Sequence, residues 1–119
     1  MFLKYSFLKI LFSFILVIIL LPLSAVPAEV LQITSSSVVQ IGDQNRNYKI
    51  KLACINIDSS KEKEAFNWLK TKLPRHTKVN LLPKGYEDGV MLAKLINLKS
   101  NNDISKSMAD FGLGEFVCE

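Results

Sequence analysis

The apolar run from Ile10 to Leu23 sets the first limit on the fold. Lys4 and Lys9 precede it, Pro22 breaks it near its end, and the small residues Ser24, Ala25 and Ala28 follow. A basic start, an apolar middle and a small-residue exit form the order of a secretory signal. Residues 1–28 are therefore read as a signal peptide or a retained N-terminal membrane anchor. The run is short for a full span unless it is counted from Phe2. Val26 and Ala28 suit cleavage after Ala28, and Ala25 offers a second exit. No cysteine lies at the exit to carry a lipid. Positive charge ahead of the run directs residues 29–119 across the cytoplasmic membrane. The expected location is periplasmic or secreted, or anchored by the N-terminal segment.

The remaining part, about 90 of the 119 residues, is enough for one small core and not for two. The net charge of +4 includes Lys4 and Lys9, so this part carries only +2. That balance permits weak contact with nucleic acid but does not demand it. Cys54 and Cys118 are the only cysteines, and in an exported chain such a pair suggests a disulfide. Without a CxxC spacing, and with one histidine, they make no zinc site.

Val30–Thr34 and Val38–Ile41 are β-prone and separated by three serines. Gly42-Asp43-Gln44-Asn45 is a turn signal. Tyr48–Ile55 alternates, with Tyr48, Ile50, Leu52 and Cys54 on one face and Lys49 and Lys51 on the other, as a half-buried strand does. Ser59 and Glu62 have the spacing of a capping box. Phe66, Leu69 and Leu73 then follow at helical spacing, with Trp68 at the edge of the stripe, and Pro74 ends the helix. Lys78–Leu82 and Val90–Leu98 are strand candidates around a turn at Pro83–Gly89. Asn101–Asp103 is a loop and helix cap. Ile104, Met108 and Phe111 share a helical face that Gly112 terminates. The order βββαββα in a small, mainly β (α+β) domain predicts a five-stranded OB-type barrel, with one helix after strand 3 and one near the C-terminus.

Three stretches carry a resemblance to a known family. Lys51-Leu52-Ala53-Cys54-Ile55-Asn56-Ile57-Asp58-Ser59 resembles the Arg-Leu-x-Gly-Ile-Asp-x-Pro-Glu motif of the staphylococcal-nuclease (thermonuclease-like) family. Gly89–Ala93 resembles that family's Tyr-Gly-Arg-x-Leu-Ala, and Ser107–Gly114 resembles its last helix and following turn. The resemblance spans roughly residues 30–117 and rests on order and spacing more than on identity. It implies an OB-type nuclease fold in which two arginines clamp phosphate, a glutamate activates water and two aspartates help hold calcium.

The family's catalytic positions fall on Ser37, Lys51, Asn56, Ser59 and Val90, and all five are substituted. Calcium favours charged oxygen ligands, which Ser37 and Asn56 do not supply. Phosphodiester hydrolysis needs a positioned base and charge stabilisation, which Ser59 and Val90 do not supply. The resemblance therefore implies a fold kept without its catalytic site, needing no cofactor and acting as a binding or structural module. A divergent nuclease, rebuilt around Lys51, Asp58 and Glu62 and using Ca2+, is the alternative. A membrane-anchored structural protein without a ligand is the second. The family fold also runs the Cys54 and Cys118 segments side by side, which implies a Cys54–Cys118 bridge.

Arg46, Lys49, Lys51 and Lys84 are the candidate phosphate-binding cations, with nucleic acid as a weak partner. Tyr48 is expected to point inward and Tyr86 to lie in a turn, which leaves few aromatic surfaces for base stacking. His76 follows Pro74-Arg75 in a loop and is expected to be a surface residue.

Overall fold

The computed structural model describes residues 26–118; the segment read as a signal peptide or anchor, apart from its last residues, lies outside them. Strands β1 (Ala28–Ile33), β2 (Val38–Asp43) and β3 (Arg46–Leu52) form the expected antiparallel meander. Gln44 and Asn45 join β2 to β3, both at positive φ (48° and 66°). That is the twist a two-residue hairpin needs.

Strands β5 (Lys78–Glu87) and β6 (Val90–Asn97) make a second hairpin. Its turn is Asp88-Gly89 alone, again at positive φ (52° and 79°). The expected turn over Pro83–Gly89 is thus mostly strand. Proline is compatible because the register shifts between Pro83 and Gly85, and proline is found in sheets at such irregularities. Ala28 and Glu29 of β1 pair with Val79 and Lys78, and Ile50, Lys51 and Leu52 pair in parallel with Met91, Leu92 and Ala93. These two contacts close the ring β1-β2-β3-β6-β5 into a mixed five-stranded barrel, the OB-type architecture expected from the sequence.

Helix α1 (Glu62–Lys72) follows a short 3-10 turn at Ser59–Lys61. The expected capping box is absent: no side chain caps either the turn or the helix, because the 3-10 turn moves the helix start to Glu62. The buried stripe is Ala65, Leu69 and Leu73: Leu69 and Leu73 are buried as expected, and Ala65 takes the place of Phe66. Phe66 and Trp68 flank it, half-buried against the core. The stripe joins Val30, Val39, Ile41, Ile50, Val79 and Leu95 from the barrel wall in one hydrophobic cluster.

Helix α2 (Ile104–Asp110) is capped at both ends. The Asp103 carboxylate accepts from the Ser105 and Lys106 amides at 3.0 and 3.5 Å. At the other end Gly112 (φ +82°) donates to Ala109 and Leu113 donates to Met108, the paired bonds of a Schellman turn. This turn corrects one expectation. Phe111 is 65% exposed, and Leu113, folded back beneath Met108, takes the core position instead.

Three short strands escape the sequence patterns. β4 (Ile55–Ile57) pairs with β8 (Gly114–Phe116) as a separate antiparallel ribbon, and β7 (Asn102–Asp103) adds to β6. The alternating strand expected to reach Ile55 therefore ends at Leu52. Cys54 turns the chain at φ +69° before β4 begins.

Candidate functional site

The positions implied as catalytic occupy separate structural roles. Ser37 ends the β1–β2 bend, and its carbonyl accepts the Leu52 amide at 2.8 Å. Lys51 stands on β3, and its Nζ lies 3.0 Å from Glu87 Oε1 across the barrel wall. That ion pair is exposed and contributes little to stability, but it occupies the ammonium that would meet a phosphate. Val90 opens β6 and brings no charge. Asn56 is the exposed centre of β4, and Ser59 starts the 3-10 turn. A calcium ion does not fit the donor set of Ser37 and Asn56, which carries no carboxylate. Among the described residues no three His, Cys, Asp or Glu side chains gather to hold an ion. Asn56, Asp58 and Glu115 line one open depression beside the β4–β8 ribbon. Neither Lys51 nor Glu62 lines it.

The four candidate cations divide in two. Arg46 and Lys49 line a groove of about 500 Å³ together with Asn47, Tyr48, Tyr86, Gly89 and Met91. Lys51, held by Glu87, and Lys84, at the β5 irregularity, are not among its walls. The groove exists because β3 pairs with β6 only from Ile50 onward. The first four residues of β3 therefore leave a gap facing the β5–β6 turn. Neither Arg46 nor Lys49 joins an ion pair among the described residues.

Tyr86 is the residue that sequence reading misplaced. It lies on β5 opposite Met91, not in a turn, and is 72% exposed at the groove. The signal for it was Asp88-Gly89, which marks a two-residue hairpin and extends the strand back to Glu87. Tyr48 is half-buried at the groove floor and donates to Asp43 Oδ2 at 3.2 Å. Burial first, then the neighbouring Asp43 charge, pushes its phenol above the ordinary value of 10.0.

Cys54 and Cys118 form a disulfide. The β4–β8 pairing and the Val117 amide, which donates to the Cys54 carbonyl at 2.9 Å, bring their Cα atoms to 5.0 Å. His76 is on the surface, with Nδ1 3.2 Å from Glu29 Oε1. Lys78 Nζ lies 2.6 Å from the other oxygen of the same carboxylate. Hydrogen bonding to Lys78, and next to His76, holds the Glu29 carboxyl below its ordinary value. This cluster sits where β1 meets β5 and contains no nucleophile.

Among the described residues no helix is long and apolar enough to cross a membrane. No protein-family model and no curated protein matches the chain.

Proposed function

We propose that this chain is an exported, thermonuclease-like OB-type domain that has lost phosphodiester chemistry and binds single-stranded nucleic acid weakly. The observation that carries the reading is the groove between the two hairpins. Arg46 and Lys49, neither in an ion pair among the described residues, line it together with the exposed Tyr86. Cations that track a backbone beside an aromatic face that stacks a base are the working parts of sequence-tolerant single-strand binding. The kinship reading is supported by the order of elements around the closed barrel and by the backbone at Cys54. That residue adopts a positive φ at the place where the resembling motif holds glycine.

Binding is tested by the anisotropy of a labelled ten-nucleotide DNA strand titrated with the oxidised protein. With two phosphates neutralised, the logarithm of affinity should fall with the logarithm of salt at a slope of about −1.4. Tyr86→Ala should weaken binding by about 1–3 kcal/mol, the usual worth of one stacked base. No binding at low salt by a folded protein would sink this reading.

A second reading, a divergent metal-dependent nuclease, is favoured by Asp58 and Glu115 sharing one depression with Asn56. It loses ground because Lys51 is engaged by Glu87 and Val90 leaves the transition state without its second cation. The same preparation, incubated with DNA and RNA with and without calcium, should leave both intact. Calcium-dependent cleavage abolished by Asp58→Asn would establish the second reading instead.

A further inference from the structure

At the opposite end of β6 from the groove lies a second concavity, about 290 Å³, between α1, α2 and the β6–β7 turn. Met91 borders the first groove and Asn97 the second, six residues apart, or about 20 Å along a strand. The two are therefore separate sites.

We propose that this pocket binds a carbohydrate, one sugar ring resting on the exposed face of Phe111. Three features select that class. First, the walls are amphipathic. Trp68 and Phe111 supply aromatic surface, and Asn97, Asn102, Ser107 and Asp110 supply hydrogen-bonding groups. A pyranose presents an apolar C–H face and a belt of hydroxyls, which matches such a lining. Asn97 Oδ1 already accepts the Lys99 amide at 3.0 Å, so its NH2 group is the end offered to a hydroxyl.

Second, the charges oppose each other. Lys72 and Asp110 both line the pocket, so it favours neither an anion nor a cation. Third, the aromatic geometry rules out a planar ligand sandwiched between the two rings. The Trp68 and Phe111 rings lie 6.2 Å apart between centroids and are inclined by 40°. Rings this close and inclined touch each other and leave no parallel-walled slot between them. A puckered sugar needs one open face, and Phe111, 65% exposed, provides it.

Trp68 is the only tryptophan of the chain, so intrinsic fluorescence reports on this pocket directly. The full chain, oxidised and held in a detergent without a sugar headgroup, is titrated with glucose, mannose, N-acetylglucosamine and maltose. Adenosine and uridine form the comparison arm. A saturable change with at least one sugar, at a Kd of about 1–10 mM, is expected. Phe111→Ala should weaken that response about tenfold, and Asn102→Ala by a comparable factor. Lys49→Ala, in the other groove, should leave it unchanged. Both weakened positions are exposed, and circular dichroism checks that each variant is folded. A response to nucleosides and not to sugars would overturn the ligand class. No saturable response to any sugar up to about 50 mM, or equal affinity in Phe111→Ala, would overturn the site.

Discussion

Cys54 carries two burdens at once: it anchors the disulfide and holds φ +69°, a conformation that costs a side-chain-bearing residue about 1–2 kcal/mol. The bridge and the strain are separable by mutation. With Cys118→Ala in both backgrounds, Cys54→Gly should be more stable than Cys54→Ala by about 1 kcal/mol in urea unfolding, because only glycine relaxes that turn. Equal stability would mean that the turn opens once the bridge is gone. The neighbouring Ala53 carbonyl is tied down from another direction, accepting from the buried Ser105 hydroxyl at 2.6 Å. Ser105→Ala should cost about 1–2 kcal/mol, since it strips a buried acceptor of this partner. Tyr48 couples the fold to pH. Its phenol is raised in the folded state, so the neutral form is favoured there. Its contribution is complete below the unfolded value near 10 and is lost as pH climbs through the higher folded value. The stability advantage of the parent over Tyr48→Phe should therefore shrink above pH 10 when the two are compared by urea titration.

Elements were legible from the sequence in proportion to how long each repeats its pattern. β1, β2, β3 and α1 extend for six to eleven residues, and their alternation or helical spacing could be read. β4, β7 and β8 span two or three residues and are set by partners distant in the chain, which no local period reveals. Boundaries failed where a special backbone intervened. The positive φ at Cys54 ended β3 early, and the register shift after Pro83 let a strand run through a residue that usually stops one. The groove was half legible for the same reason. Arg46 and Lys49 were readable as strand cations, but Tyr86 became a groove residue only once β5 was extended. The β4–β8 ribbon also depends on one residue without a side chain. A Cβ at Gly114 would sit 2.5 Å from the Asn56 carbonyl oxygen and 3.1 Å from Ile57 Cα, both backbone atoms that cannot swing aside. Gly114→Ala should destabilise the domain by about 1–3 kcal/mol and speed hydrogen exchange at Val117, whose amide donates to the Cys54 carbonyl. Unchanged exchange there would show that the ribbon adjusts without separating.

For the whole molecule, the issue is how a barrel this small stays folded. A domain of this length has a total stability of about 5–14 kcal/mol, so single terms of a few kcal/mol decide whether it folds. The disulfide is one such term. It closes a loop of 64 residues that contains α1, the β5–β6 hairpin and α2, while β1, β2 and β3 lie outside it. Restricting an unfolded loop of that length stabilises the native state by about 4 kcal/mol in the chain-entropy account. The bridge also fastens the far end of β8, whose only strand partner among the described residues is the three-residue β4. Reduction should therefore act on two levels. Locally, β8 should lose exchange protection first, because three paired residues do not hold a ribbon alone. Globally, the melting temperature should fall by about 15–30 °C, given 4–8 °C per kcal/mol for a domain this size. Calorimetry of the oxidised protein against the protein in excess reductant measures the second effect. A drop of only a few degrees would mean that the barrel and its helices carry the stability unaided and that the fold does not require an oxidising compartment. A full drop would mean that the fold persists only where the bridge can form, which is the environment that the basic, apolar N-terminal segment is read as reaching.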